Sequence, residues 1–132
     1  MKPIIIVLLA LVFTACLSYR NLKGHSVLYK VYKIDSVNSY YLIYAKKNDS
    51  LYKIVSKKDS VNCSNKIRLN NNYSFMLHSL LAKSRIGNVS IDPKNMNVNC
   101  FAFDKETFIC LEGDSIKDIY HADNVKGLCF IK

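Results

Sequence analysis

The sequence lacks the motifs that mark most enzymes. It has no G-x-S-x-G nucleophile motif, no H-E-x-x-H zinc motif and no glycine-rich phosphate loop. Asp and Glu together number 10, and they stand in predicted turns without the paired arrangement that general acid–base chemistry uses. The three histidines, His25, His78 and His121, belong to no recognisable motif. We therefore expect a protein that is not an enzyme and that uses no cofactor.

The sequence also lacks an apolar run long enough to cross a membrane. A spanning helix needs ~20 apolar residues, whereas the N-terminal run ends after residues 4–13. Lys2 precedes this run and supplies a positive charge. A short apolar run behind a positive charge is typical of a signal peptide.

Two small residues and a cysteine, Thr14-Ala15-Cys16, follow the apolar run. This stretch resembles the lipobox of bacterial lipoprotein precursors, whose cysteine thiol is diacylated before the leader is cleaved. Phe13 departs from the family pattern, which usually has Leu at that position. A large residue there also disfavours the ordinary leader peptidase, which needs a small one. The alternative is a plain secretory signal, with Cys16 an incidental residue.

The lipobox resemblance implies three parts: a signal peptide over 1–15, a lipidated tether over 16–25 and one domain over 26–132. Several acyl chains together hold a protein stably on a membrane, so we expect attachment without a spanning segment. Residues 17–20 are neutral to basic, whereas surface-exported lipoproteins often carry acidic residues there. We therefore expect an outer-membrane anchor that faces the periplasm.

The cysteines show no close C-x-x-C spacing, which argues against a metal site. With Cys16 assigned to lipid, four cysteines remain in an oxidising compartment, and we expect two disulfides. Pairing Cys100 with Cys110 would join strands that are already neighbours and would restrict the unfolded chain least. Pairing Cys110 with Cys129 would clamp a predicted helix to the last strand. We predict Cys63–Cys100 and Cys110–Cys129.

Basic residues outnumber acidic ones, 19 to 10, and the formal net charge is +9. The lysines occur in scattered pairs, such as Lys46-Lys47 and Lys57-Lys58, without an arginine cluster. Solvated turns explain such pairs, but a basic surface also attracts anionic partners. An exported, acylated protein rarely meets nucleic acid. The expected partners are a membrane, through the N-terminal lipid, and an envelope protein or an acidic glycan, with no nucleic acid.

Tryptophan is absent, and the aromatic residues fall mostly in segments with strand character. Alternating β-branched and aromatic residues predict an antiparallel meander over 26–34, 40–45 and 50–56. Further strands are predicted over 67–77 (in two pieces), 98–103, 107–111 and 125–131, the last bent at Gly127. Ile116, Ile119 and Tyr120 share one face of a short predicted helix over 115–121. We predict a mainly β fold of six to seven strands, either a small OB-like barrel or a two-sheet sandwich.

A triplet of Asp, Ser and an aliphatic residue occurs four times. It is similar to the O-glycosylation site that Bacteroidetes-type bacteria use on exported proteins. Asp-Ser also opens turns and caps, which explains the triplets equally well. The candidate glycosylation sites are Ser36, Ser50, Ser60 and Ser115.

The lipobox-like leader, these triplets and a Lys/Asn-rich β-pattern together resemble small lipoproteins of Bacteroidetes-type bacteria. This resemblance implies a location and no particular activity. We expect a non-enzymatic cell-envelope lipoprotein with a binding or structural role. One alternative is an envelope inhibitor or immunity protein that acts against a toxin or hydrolase. Another is a glycan- or peptidoglycan-binding module that uses exposed tyrosines of the meander.

Overall fold

A computed structural model describes residues 27–93, 97–113 and 115–132 of the chain. The predicted signal peptide, Cys16 and the predicted tether lie outside these residues. The described chain is mainly β, as predicted, with the following strands: β1 (Tyr29–Val37), β2 (Tyr40–Lys47), β3 (Ser50–Lys57), β4 (Asn72–Tyr73), β5 (Leu77–Ser79), β6 (Ser84–Ile86), β7 (Val89–Ile91), β8 (Cys100–Ala102), β9 (Phe108–Cys110), β10 (Ile119–Ala122), β11 (Val125–Lys126) and β12 (Cys129–Phe130).

Six of these strands form one sheet in the order β4-β1-β2-β3-β10-β5. Strands β3 and β10 run parallel, and every other neighbouring pair is antiparallel. Three separate hairpins, β6–β7, β8–β9 and β11–β12, complete the described structure. The sheet curls into a half-barrel whose edges are β4 and β5. Neither the OB-like barrel nor the two-sheet sandwich is confirmed.

The predicted meander is confirmed, with β2 at its centre. Strand β2 is buried on both faces, because consecutive residues Leu42, Ile43, Tyr44 and Ala45 are all apolar or aromatic. Asn38 (φ 46°) and Asn48 (φ 52°) occupy the two connecting turns. Asparagine tolerates the left-handed region better than most residues, so these tight turns fit their sequence.

The predicted helix over 115–121 is wrong. Ile116 pairs in an isolated bridge with Glu112, and Ile119 begins the extended strand β10. Asp118 holds this segment extended, because its carboxylate accepts hydrogen bonds from the Ser79 hydroxyl and from its neighbouring backbone N–H at Ile119. Ile116 and Ile119 have the spacing of a helix face, but they are buried side chains of an extended segment. Tertiary pairing with β3 overrides the local signal.

Two further strand predictions are only partly correct. The last predicted strand, over 125–131, is a hairpin of β11 and β12, with Gly127 (φ 56°) in the predicted bend. The predicted strand over 67–77 contains only β4 and the start of β5. Hairpin β6–β7 was not predicted, because its short segments are interrupted by Gly87. The predicted hairpin over 98–103 and 107–111 is confirmed by the pairing of β8 with β9.

The two faces of the sheet carry separate apolar cores. The first core is built around Val31, Ile43 and Ile54, and it packs against Ile67, Phe75 and the C-terminal hairpin. The second core is built around Leu42, Tyr44 and Val55, and it packs against Ile109, Ile116 and Ile119. Alternate residues of β2 enter alternate cores, as the period of a strand requires.

A buried lysine crosses the second core. Lys53 is only 4% exposed, and its ammonium donates hydrogen bonds to Glu112 Oε1 at 2.7 Å and to the Cys110 carbonyl oxygen at 2.9 Å. The Tyr44 hydroxyl donates to the same Glu112 oxygen at 2.6 Å. The hydrogen bond from Lys53, followed by that from Tyr44, lowers the pKa of Glu112. Burial, followed by the hydrogen bond to Glu112, raises the pKa of Tyr44. This ion pair ties the end of the β8–β9 hairpin to the sheet.

Candidate functional site

Three adjoining depressions form one groove beside the C-terminal hairpin. The first has a volume of about 410 Å³ and lies between residues 56–59 and 125–127. The middle one, of about 160 Å³, shares Asp59 with the first and Lys66 with the third. The third, of about 350 Å³, lies between residues 64–73 and the C-terminus. We call these three depressions together the basic groove.

The charge of the basic groove is strongly positive. Among its described lining residues, Asp59 is the sole acidic side chain. No salt bridge to any of the groove cations is found among the residues that the structure describes. Six groove cations therefore face a single acidic side chain, and none of them is in an ion pair with a described carboxylate. The groove cations are Lys57, Lys58, Lys66, Arg68, Lys126 and Lys132.

A long-range disulfide builds the groove. Cys63, in the loop after β3, is bonded to Cys129 of β12, with a sequence separation of 66 residues. Two backbone hydrogen bonds also join the loop to the hairpin. The Ile67 N–H donates to the Leu128 carbonyl at 2.7 Å, and the Phe130 N–H donates to the Asn65 carbonyl at 2.8 Å. The loop and the hairpin are therefore held in a fixed relation before any ligand arrives.

Gly127 permits a close approach of two backbone segments at the groove. An added Cβ at Gly127 would lie 3.3 Å from both the backbone nitrogen and the carbonyl oxygen of Asp59. The positive φ of Gly127 is also one that glycine adopts without steric cost. Hairpin β11–β12 can therefore lie directly against the loop that carries Asp59.

The third depression combines aromatic rings with amides and cations. Tyr73 and Phe130 are half-buried, and their ring centroids lie 5.2 Å apart. Asn65, Asn71 and Asn72 line the same depression. The Tyr73 hydroxyl accepts a hydrogen bond from the backbone N–H of Arg68 at 2.8 Å, which helps to hold the ring in place. Aromatic faces pack on the apolar faces of sugars, while amides and cations bind hydroxyl and acidic groups.

One groove lysine is already held in place. The Lys58 ammonium donates a hydrogen bond to the Asn38 carbonyl at 2.7 Å and lies 5.5 Å from the centroid of the Tyr41 ring. These contacts orient the ammonium but leave its positive charge uncompensated by an anion. Lys58 is therefore a preorganised cation at one end of the groove.

The four cysteines of the described residues form two disulfides, as predicted, but the predicted pairing is wrong. The bonds are Cys63–Cys129 and Cys100–Cys110. Cys100 and Cys110 stand directly opposite each other on β8 and β9, which puts their thiols in reach of each other. The Cys110–Cys129 pairing was predicted because a helix was expected between these residues, but that segment is extended.

The four predicted glycosylation serines are all exposed. Ser36 lies near the end of β1, Ser50 begins β3, and Ser60 lies in the loop after β3. Ser115 lies between the two residues of the Glu112–Ile116 bridge rather than at a helix cap. Their modification stays a prediction, and their positions leave room for a glycan.

The tyrosines that the meander supplies do not form an exposed stacking face. Three of the six are buried in the cores, two are half-buried, and one is exposed at 41%: Tyr29, Tyr40 and Tyr44, then Tyr41 and Tyr52, then Tyr32. Sequence reasoning instead missed Tyr73, Phe130 and Arg68. The alternation of Lys66 and Arg68 with Ile67 and Leu69 is a weak signal for one charged side, but no local pattern indicates that the C-terminus would return to this loop.

Comparisons with known protein families, with curated proteins and with solved structures found no match for this chain. Within the described residues, no helix is long and apolar enough to span a membrane.

Proposed function

We propose that this chain is a non-enzymatic lipoprotein of the cell envelope, anchored through a diacylated Cys16, whose β-domain binds an acidic glycan in the basic groove. The observation that carries the binding proposal is the set of six cations along the groove, three of which line its aromatic and amide-lined third depression. Their charge is unpaired by protein carboxylates among the described residues, so an anionic ligand gains attraction without first displacing an ion pair.

The shape of the groove favours a chain-like ligand over a single small ion. Its three depressions adjoin one another, and cations lie at both ends. A polymer with a carboxylate on each repeating unit contacts several of these cations at once. Many weak contacts along one chain add to a useful affinity, as in other multivalent binding. An uronate polysaccharide has this chemistry and also offers sugar faces to Tyr73 and Phe130.

Two further observations support an envelope location. Both disulfides fit an oxidising compartment outside the cytosol. The leader resembles a lipobox, and its Thr14-Ala15-Cys16 stretch provides the thiol that a diacylglycerol needs. We therefore propose that the protein is anchored in the outer membrane and faces the periplasm.

The glycan proposal is tested with oligogalacturonate titrated into the full chain in detergent, with a neutral maltooligosaccharide of equal length as the reference ligand. The test variant is Lys66→Glu/Arg68→Glu. Both side chains are exposed, and the known bonds of these residues to Cys129 and Tyr73 use backbone atoms, so the fold is expected to persist. We expect affinity for oligogalacturonate to fall at least about tenfold.

The matched control is Lys105→Glu/Lys117→Glu, which makes the same charge change at two exposed lysines outside the groove. We expect this control to keep most of the affinity, since general charge attraction is screened by salt. Equal losses in the two double variants would show that binding follows net charge rather than the groove. Tight binding of the neutral ligand would also contradict the proposal.

The anchor is tested by metabolic labelling with a fatty acid. We expect label on the wild-type protein and none on Cys16→Ser, which should also stay unprocessed or become soluble. A wild-type protein without label would end the lipoprotein proposal.

The glycosylation of Ser36, Ser50 and Ser60 remains part of this proposal, with Ser115 as a fourth candidate. Their exposed positions in turns and at strand ends support it. The intact mass of protein from the native host decides it. A mass equal to the polypeptide plus lipid would rule it out.

A further inference from the structure

Two histidines and an aspartate converge at one edge of the sheet. His78 of β5 and His121 of β10 are directly opposite each other in the antiparallel register. Their rings are stacked, with centroids 4.9 Å apart and planes inclined by 15°. The carboxylate of Asp123 faces both rings, with Oδ2 2.6 Å from His78 Nε2 and Oδ1 3.8 Å from His121 Nε2.

The backbone that carries these side chains is firmly held. The Asp123 N–H donates a hydrogen bond to the Met76 carbonyl at 3.1 Å. Asn124, which is buried, accepts a hydrogen bond from the Met76 N–H and donates one to the Ser74 carbonyl, both at 2.9 Å. The turn with Asp123 is thereby fixed to the segment that leads into β5. The three side chains are presented from two paired strands and an anchored turn.

An ion pair accounts for only part of this arrangement. A bond between His78 and Asp123 explains one ring, and exposed pairs of this kind add little stability. It leaves unexplained why the His121 ring is stacked on the His78 ring with its own Nε2 toward the same carboxylate. A single cation bound by both imidazoles and the carboxylate would account for the positions of all three side chains.

We propose that His78, His121 and Asp123 form a surface site for a divalent transition-metal ion, with Zn²⁺ as the reference ion. One donor atom from each of the three residues lies within 4.8 Å of the others. Tetrahedral coordination at bond lengths of ~2.1 Å separates donor atoms by roughly 3.4 Å, a distance that small side-chain rotations reach. Two imidazoles and a carboxylate are a borderline donor set suited to Zn²⁺ and Cu²⁺ rather than Ca²⁺ or Mg²⁺.

Water completes the coordination in this proposal. Each of the three side chains is a little over half exposed, at 53%, 53% and 57% for His78, His121 and Asp123. One coordination position therefore faces solvent. The site shares no lining residue with the basic groove, so the metal proposal does not depend on the proposed glycan function.

The test is isothermal titration of ZnCl₂ into the full chain, purified in detergent without a polyhistidine tag. We expect one Zn²⁺ per chain, with at least about tenfold weaker binding in His78→Ala and in His121→Ala. Asp123→Asn is expected to weaken binding as well, because an amide is a poorer ligand than a carboxylate. The matched control is His25→Ala, which removes the third histidine of the chain and should leave the affinity unchanged.

A second measurement does not rely on variants. In NMR spectra of the wild-type protein, Zn²⁺ should shift or broaden the ring resonances of His78 and His121 together, at one equivalent, and leave those of His25 in place. Absence of binding in the wild type would overturn the proposal. Equal binding in wild type and His121→Ala would overturn it too, as would loss of binding in His25→Ala alone.

Discussion

The β11–β12 hairpin and the β8–β9 hairpin are attached to the same sheet by different means. Hairpin β11–β12 is joined by the Cys63–Cys129 disulfide and by packing of Phe130 on Tyr73 and Phe75. Hairpin β8–β9 has its disulfide, Cys100–Cys110, entirely within itself. It reaches the sheet through Ile109 in the second core and through hydrogen bonds from Lys53 and Tyr40.

The two disulfides therefore have different structural roles. Cys100–Cys110 reinforces strands that already pair, while Cys63–Cys129 fixes two parts of the chain that would otherwise meet only through packing and backbone hydrogen bonds. The long-range bond also shapes the basic groove, whereas the local bond lies outside it. Removal of each bond should therefore have distinct effects on stability and on binding.

The largest expected effect is the loss of the long-range bond. In the chain-entropy description, closing 66 residues contributes about 4 kcal/mol and closing 10 residues about 2.5 kcal/mol. Cys63→Ala/Cys129→Ala should therefore lower the free energy of unfolding more than Cys100→Ala/Cys110→Ala. Urea unfolding of both double variants measures this difference. A larger loss of unfolding free energy in Cys100→Ala/Cys110→Ala would contradict this prediction.

Gly127→Ala should have the next largest effect. Gly127 (φ 56°) and Gly113 (φ 53°) both have left-handed backbones, which cost a residue with a Cβ roughly 1–2 kcal/mol. A Cβ at Gly113 meets nothing within 4 Å, whereas a Cβ at Gly127 meets the Asp59 backbone at 3.3 Å. We expect Gly127→Ala to cost ~1 kcal/mol more than Gly113→Ala in thermal unfolding. Equal losses would mean that the loop moves away freely.

A smaller effect is expected where the β8–β9 hairpin meets the sheet. Glu112→Gln removes the anion beside the buried Lys53 ammonium but keeps an acceptor oxygen, so we expect a loss of ~1 kcal/mol. Lys53→Met/Glu112→Gln should be less destabilised than the sum of the single variants, because no buried charge is left unpaired. Additive losses in urea unfolding would contradict this coupling.

The same ion pair makes stability depend on pH. The pKa of Glu112 is lowered in the folded chain by Lys53, so its contribution is present above the ordinary pKa of Glu, ~4.3, and disappears as the pH falls through the lowered value. We expect the wild type to lose more stability than Glu112→Gln between about pH 5 and pH 3, in the same urea assay. The pKa values of Asp35 and Asp104 are lowered as well, so both proteins should retain some acid sensitivity. Identical pH profiles would exclude a contribution from Glu112.

Most parts of the fold that depend on local pattern were predictable, the β6–β7 hairpin excepted. The β1–β2–β3 meander follows from alternation and short Asn-containing turns, and the pairing of β8 with β9 follows from two short apolar segments around a polar link. The number and redox state of the disulfide cysteines also followed from composition. The strand pairings among these features are set by residues close to one another in sequence.

Most features that sequence reasoning missed depend on distant segments; the exceptions are the local β6–β7 hairpin and the local Cys100–Cys110 bond. Strand β10 is extended because it pairs with β3 and β5, although Ile116, Ile119 and Tyr120 have helical spacing. The Cys63–Cys129 bond and the basic groove require the C-terminus to return to the loop after β3. His78 and His121 are far apart in sequence, and only the sheet register makes them neighbours. No local sequence pattern indicates such contacts between distant segments.

The most direct test of the proposed groove is oligogalacturonate binding by the two disulfide variants, each checked by near-UV circular dichroism to be folded at the temperature of the titration. We expect Cys63→Ala/Cys129→Ala to bind at least about tenfold more weakly than wild type, and Cys100→Ala/Cys110→Ala to bind within about twofold of it. Weakening by the same factor in both variants, or in neither, would contradict the claim that the long-range disulfide builds the binding groove.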